Sequence, residues 1–488
     1  MMKKILTIAI LFYAPALYAA DVLVSSVAEL NAALSIVRPG ESIIWKSGTY
    51  ADIVIDFTAP VKGNAAQRIY LKAEIPGKTV FTGRSRIFIA GEYLQVEGFL
   101  FDGPSTLGER EDVIVFHAQK KTSRTAIHCR LTNCALINYT PADAHINNDW
   151  IILYGTDNEV DHCSLKGKTN QGPFLVVTYE KPEGFVDGSD KCPSTRHHVH
   201  HNYFGFRSMP TDNGGEDIRT GDSKTSFTRG FNVFEYNFFE DHRNEPEVIS
   251  NKSCDNIYRY NSFYNCDGAL VLRHGNRCLV YGNYINGKTG RGYSGGIRII
   301  GQGHTVFNNY LENQEGAAHE EMKAPVTIMA GMPSSPVSGY FAADSAVVCF
   351  NTIVNATGPV FHIGVKNKTD NPIQPKQVTL EQNIVIRPQG TNAIALVADD
   401  PASIGLSLDN VYAGGKDIRQ KGWSAISDAS LTEKNGFWYA NAPAAKNALL
   451  LIRKRTEPFQ LSLNDEDIAV FNPLWVLQRK DAGASWKP

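Results

Sequence analysis

After its first twenty residues, the 488-residue chain has no stretch that approaches the roughly eighteen uncharged apolar residues a membrane-spanning helix requires. It has almost no net charge, −2 at neutral pH, so nothing about the whole chain attracts nucleic acid or an anionic membrane. Affinity for a polyanion must come from a local cluster. Of its eight cysteines, Cys254, Cys266 and Cys278 have no metal-site spacing. They recur every twelve residues in strand-like text, which predicts reduced core thiols rather than bridges, even in a compartment that permits disulfides. The signature of disorder is also missing, because 43% of residues are hydrophobic and only 20% are charged.

The first twenty residues read as a secretory signal: Lys3 and Lys4, an apolar run from Ile5 to Phe12, then small residues ending at Ala19 and Ala20. The expectation is a mature chain starting near Asp21, released to the periplasm or medium.

What the sequence does contain is a repeat. An asparagine between apolar residues recurs at Asn202, Asn237, Asn261, Asn283, Asn309, Asn351 and Asn383, with central intervals of 24, 22 and 26 residues. That is the length of one coil of a parallel β-helix, whose coils stack about 4.8 Å apart. The predicted fold is all-β, a single-stranded right-handed parallel β-helix. An asparagine once per coil tolerates left-handed backbone at a turn and bonds to the asparagine of the next coil. Longer intervals, such as Asn202 to Asn237, imply inserted loops that build a cleft. Ser26 and Glu29 form a capping box before Leu30, Ala33, Leu34 and Val37, and Pro39-Gly40 ends the pattern, which predicts an N-terminal capping α-helix. Residues 21–400 form the β-helix. Residues 401–488, where the asparagine phrase fades and Trp423, Trp438, Trp475 and Trp486 appear, are expected to be its C-terminal cap.

Counting back from the repeated asparagines, Lys252 lies nine residues before Asn261, Arg273 ten before Asn283 and Arg298 eleven before Asn309. Three cations are thus expected in one rough column, either as an exposed basic stripe or as the bed of a polyanionic substrate. Upstream, Glu245 and Glu247 share one face of an extended strand. They are either a solvated acidic pair or, with an amide oxygen such as that of Asn213 one coil earlier, ligands for Ca²⁺. His197, His198, His200 and His201 look like a metal cluster, but alternate residues there point to opposite faces. Structure is the expected role for them. Arg219 and His304 are open between substrate contact and structural pairing.

The segments NGGEDIRTG, NEPEVISNK, LVLRHGN and GGIRIIGQGH resemble polysaccharide lyase family 6, which includes alginate lyases and chondroitinase B. The resemblance runs from the capping helix to about residue 400. It implies Asn213, Glu245 and Glu247 as calcium ligands, Lys252 as Brønsted base, Arg273 as the acid or electrostatic partner at the glycosidic oxygen, and His274 as a substrate contact. Arg298, in the segment most like the alginate lyases, is expected to meet a further substrate carboxylate. A lysine serves as base only beside other cations, which Ca²⁺ and Arg273 would supply.

The implied activity is β-elimination on alginate by a monomer. Dermatan sulfate is the alternative substrate, and a non-catalytic glycan-binding β-helix is the alternative of another class. A hydrolase would need two carboxylates set apart, which Glu245 and Glu247 are too close to provide. Preference for mannuronate or guluronate is expected to depend on the loops 136–149 and 312–344.

Overall fold

The structure is a computed structural model describing residues 21–120, 124–208, 213–287, 294–318, 320–367, 371–387, 396–414, 421–441 and 444–488. The signal segment expected at residues 1–20 lies outside them. Three long sheets, parallel throughout, run the length of the molecule, and each coil adds one short strand to each. Pairing passes from coil to coil, as in Tyr258↔Val280↔Val306↔Val348↔Leu380, a row of inward side chains with no solvent exposure. The predicted parallel β-helix is the observed fold.

Inside, like stacks on like. The Phe204, Phe239 and Phe263 rings follow one another at 4.8 and 4.5 Å with interplanar angles of 8°. Each fully buried ring contributes roughly 1.5–3 kcal/mol through burial, and stacking at the coil spacing holds the register. All eight cysteines are free and buried, as expected.

The asparagine ladder is an internal hydrogen-bond wire. Asn261 donates through Nδ2 to Asn283 Oδ1 (3.0 Å), and Asn283 donates to Asn309 Oδ1 (2.9 Å). Each Oδ1 also accepts the main-chain N–H of the preceding rung, as Asn283 does from Asn261 (3.0 Å). The left-handed residue is not the asparagine, contrary to expectation. It is the one before: His201, Tyr236, Tyr260 and Phe350 have φ of 54°, 50°, 57° and 57°. The ladder also runs one rung further than the sequence phrase suggests, from Asn383 to Asn410 (2.9 Å).

A second wire lies at another corner. Asn158 N–H donates to His197 Nδ1 (3.2 Å), His197 N–H to Asn232 Oδ1 (2.8 Å), and Asn232 N–H to Asn256 Oδ1 (3.0 Å). On the same principle Cys278 N–H donates to His304 Nδ1 (3.1 Å), and His304 Nε2 meets Ile300 O (2.9 Å). His197 and His304 are therefore core rungs, which settles His304 as structural. Burial pushes their imidazoles down to about 3 and about 4, so both are neutral.

The helix Val27–Leu34 covers the first coil with Leu30, Ala33 and Leu34. Ser26 caps it by accepting from Glu29 N–H (3.2 Å), but Glu29 reaches back to Ser25 N–H (2.6 Å), one residue beyond the partner a reciprocal box requires.

Beyond the last coil the chain turns back along the side of the solenoid. Trp423 closes the core end against Phe361. Then Phe437 meets Tyr310, Trp475 meets Tyr260, Ala484 N–H donates to Ser164 Oγ (2.9 Å), and Trp486 Nε1 donates to Asn133 O (3.0 Å). At its far end the Trp486 ring lies so close to Gly77 that a Cβ there would sit 2.4 Å from it. The C-terminal segment is thus a strap over successive coils as well as an end cover. No helix among the described residues is long and apolar enough to cross a membrane.

Candidate active site

Strands Ile218–Thr220, Glu247–Lys252, Ala269–His274 and Ile297–Ile299 are neighbours in one sheet, and the site lies along them. Two bulges between the second and third strands aim its side chains. Glu247 pairs with Ala269 but Ile249 with Leu270, so Val248 is extra; Asn251 pairs with Leu272 but Lys252 with His274, so Arg273 is extra. The second bulge restores the offset that the first removes, which confines the distortion to the site. Arg298 registers with Val271, and through it with Ser250 and Arg219. The three cations occupy successive coils, as expected, but not one column. Bulging makes counts from the ladder inexact by one or two residues.

Three carboxyls converge at the start of this stretch. Glu245 accepts N–H bonds from Gly215 (2.9 Å) and Glu247 (3.2 Å) and is 2% exposed. Burial first, then the charges of Glu216 and Glu247, push its carboxyl up to about 8. Glu216 is buried too, but Arg219 and Lys252 outweigh that burial and hold it below the usual carboxylate range. Its Oε1 lies 3.7 Å from Lys252 Nζ, while its Oε2 has no hydrogen-bond partner among the described residues. Asn213 is exposed, two residues before the Gly215 that binds Glu245.

The charge balance of this group suits a divalent cation, although its three carboxyls do not bring one oxygen each within 4.8 Å of one another. A buried carboxyl held neutral beside two others, and an unsatisfied carboxylate oxygen, are both relieved by two positive charges, and an all-oxygen set of carboxylates with an amide suits Ca²⁺.

Arg273 is held from outside its own coil. Its Nη1 donates to Gly339 O (3.0 Å), and its guanidinium lies 4.0 Å from the centre of the Tyr340 ring. Both partners belong to the loop 312–344, which places that loop at the site. His274 is 2% exposed, with Nε2 3.2 Å from Ser223 Oγ and Nδ1 3.4 Å from Arg273 Nη1. Burial, Arg273 and Lys252 push it down to about 2, so its ring is neutral. Arg298 is 3% exposed, with Nη1 4.0 Å from Glu247 Oε1 and Nε donating to Met322 O (3.4 Å). Both residues expected to touch substrate therefore lie below the surface, His274 beside Arg273 and Arg298 beside Glu247. Asp149, at the end of the loop 136–149, is buried near Arg219 and Lys168, and burial raises its carboxyl.

Sequence reasoning missed Glu216, Ser223 and Tyr340. Glu216 sits inside the NGGEDIRTG segment, where its proximity to Lys252 was hidden by the intervening coil. Nothing in the sequence links Tyr340 to Arg273, 67 residues earlier. A cavity of about 740 Å³ lined by Phe350, Gln382, Tyr439, Val470 and Trp475 lies under the C-terminal strap and contains none of these groups.

Comparison with known proteins bears on the family and the fold. No curated protein sequence matches the chain. Among solved structures, the chain is similar to the PL6 family alginate lyase AlyGC, at 29% identity and a TM-score of 0.80, over 96% of this chain and 59% of that one. This chain thus spans little more than half the length of that relative. It is also similar, at 26% identity and a TM-score of 0.71, to a mannuronic acid specific polysaccharide family 6 lyase from human gut microbiota, over 93% of this chain and 97% of that one. The polysaccharide lyase Pedsa3628 from Pseudopedobacter saltans shares the fold at 24% identity and a TM-score of 0.67, over 96% and 100%. A family model described as Chondroitinase B matches residues 24–449, nearly the whole described chain, and so the chain belongs to the chondroitinase B family, polysaccharide lyase family 6.

Proposed function

We propose that the protein is a secreted, monomeric alginate lyase acting by β-elimination. The observation that carries this reading is Lys252, whose amine lies 3.7 Å from Glu216 in the buried carboxyl group and opposite His274, with Arg273 bulged out beside that pairing. The alginate preference is supported by the similarity to the alginate lyase AlyGC and to the mannuronic acid specific lyase.

In this reading the Lys252 amine takes the C5 proton of a uronate. The electron pair of that C–H bond forms the C4–C5 double bond, and the C4–O bond breaks with its pair on the leaving oxygen, which takes up a proton from water. Arg273 stabilises the leaving oxygen; an arginine is a poor proton donor, so its charge matters more than its proton. Asn213, Glu245 and Glu247 would hold Ca²⁺, which when bound supplies the charge that lets the substrate carboxylate accept electron density. His274 and Arg298 act from beneath, holding Arg273 and Glu247 in place.

The test is ultraviolet absorbance of the unsaturated uronate product on alginate and on dermatan sulfate, with calcium and with chelator, for wild type and Lys252→Ala. A rise on alginate that disappears in the variant is expected. A rise on dermatan sulfate alone keeps the chemistry and overturns the substrate. No rise on either overturns the lyase reading.

A further inference from the structure

A second sheet, away from the catalytic strands, displays a crossed set of histidines and carboxylates on its outer face. Strand Glu159–Asp161 pairs with His198–His200, setting Glu159 opposite His198, and the next coil sets Glu235 opposite His200. Side chains alternate along a strand, so His198 and His200 share the outer face while Val199 is fully buried. Contacts then cross the rungs: His200 Nε2 lies 2.9 Å from Glu159 Oε1, and His198 Nε2 lies 2.8 Å from Glu235 Oε1. The two imidazoles are 4.1 Å apart, centre to centre.

One ligand atom from each of Glu159, His198 and His200 lies within 4.8 Å of the other two, and no other group of at least three such residues among the described ones does so. Neighbouring groups are already committed. Arg130 forks onto Asp161 at 2.6 and 2.7 Å and reaches Glu159 Oε2 at 3.6 Å, leaving Glu159 Oε1 to His200, and Arg259 bonds Glu235. The far nitrogen of His200, Nδ1, is 2.9 Å from His201 Nδ1, and His201 is itself sandwiched between the His162 and Tyr236 rings. That contact orients the His200 ring, the kind of outer support that metal-binding histidines use.

We propose that Glu159, His198 and His200 form a binding site for a divalent transition metal, Zn²⁺ in the first instance, with the fourth position taken by water. Two imidazoles and one carboxylate are the donor set of Zn²⁺, whereas Ca²⁺ seeks six to eight oxygens, so this site and the catalytic one select different ions. The ligands come from successive coils, and the bound ion ties those coils together. It replaces the two His–Glu contacts, whose only other role is as partly exposed ion pairs, each worth little.

The test is calorimetric titration of the calcium-saturated full chain with ZnCl₂, alongside thermal unfolding. Saturable uptake of one Zn²⁺ per chain with a raised Tm is expected in the wild type. Both effects should be lost in His198→Ala and in His200→Ala, whose lyase rates stay at the wild-type level without zinc and so report intact folding. X-ray absorption at the zinc edge of the loaded wild type gives an answer that no variant's folding affects: a nitrogen and oxygen shell at about 2.0–2.1 Å with scattering from two imidazoles supports the site. Absence of saturable uptake, equal uptake by the histidine variants, or a shell without two imidazoles overturns it.

Discussion

Lys252 stands opposite His274 on the neighbouring coil, and Arg273 is the residue bulged out between them and the regular pairing. One extra residue thus brings an amine, a guanidinium and a neutral imidazole together where an ideal ladder would bury or separate one of them. The charges differ in kind: Lys252 meets Glu216, while Arg273 meets a carbonyl and an aromatic face.

Removing either charged group should abolish turnover without unfolding the solenoid, since neither is part of the core or of the asparagine ladder. Lys252→Ala is expected to lower kcat on alginate by at least about 10²–10⁴-fold. Arg273→Lys should remain impaired, because an ammonium cannot reproduce a planar fork stacked on Tyr340. Product absorbance reads the rate and circular dichroism the fold; a variant that is folded and fully active would remove that residue from the chemistry.

The Tyr340 ring lies 4.0 Å from the Arg273 guanidinium, and a positioning role for it is testable. A cation–π contact is worth about 0.5–2 kcal/mol, so Tyr340→Ala should reduce kcat by roughly 3- to 30-fold, and Tyr340→Phe should restore most of it. Loss that the phenylalanine fails to rescue would point to the hydroxyl and against the ring-stacking role.

Calcium uptake should release protons. Glu245 in the metal-free protein titrates at about 8 instead of the usual 4.5, because burial and two neighbouring carboxylates favour its neutral form. A raised acid in the folded state holds a proton that the unfolded chain gives up, so the stability of the metal-free protein falls as pH rises from about 4.5 to about 8. Over the same range Ca²⁺ must displace that proton, and its affinity should rise towards pH 8 and then level. Thermal unfolding with chelator across pH, and calcium calorimetry in two buffers of different ionisation enthalpy, measure the two slopes. Affinity that is flat with pH would exclude Glu245 as a ligand.

The ladder asparagines are expected to be as costly to lose as core side chains. Asn283 accepts from Asn261 and donates to Asn309 Oδ1, Tyr258 O and Tyr281 O. Asn283→Ala leaves several of these groups buried and unsatisfied, a cost of at least about 1–3 kcal/mol in urea unfolding. Asn435, with φ of 55° at the turn between strands Leu431–Lys434 and Phe437–Ala440, bears no such rung, and Asn435→Gly should be close to neutral.

The solenoid was legible in the amino-acid order. An asparagine spaced by one coil, with apolar residues on both sides, has one repeating environment that satisfies it, and Asn202 to Asn383 could be read as a stack before any coordinates. The N-terminal helix was legible for the same reason, through local capping at Ser26. The residue types of the candidate site were legible too, because Lys252, Arg273, Glu245 and Glu247 lie within a few coils of each other. Tertiary structure alone decided their geometry. Bulges shift register by single residues, so the cation column became a staggered set. Burial turned His197 and His304 into ladder rungs but left His198 and His200 on the surface beside Glu159. Contacts across long separations, Tyr340 on Arg273 and Trp486 on Gly77, depend on where loops and the C-terminal strap close in space, which no local pattern encodes.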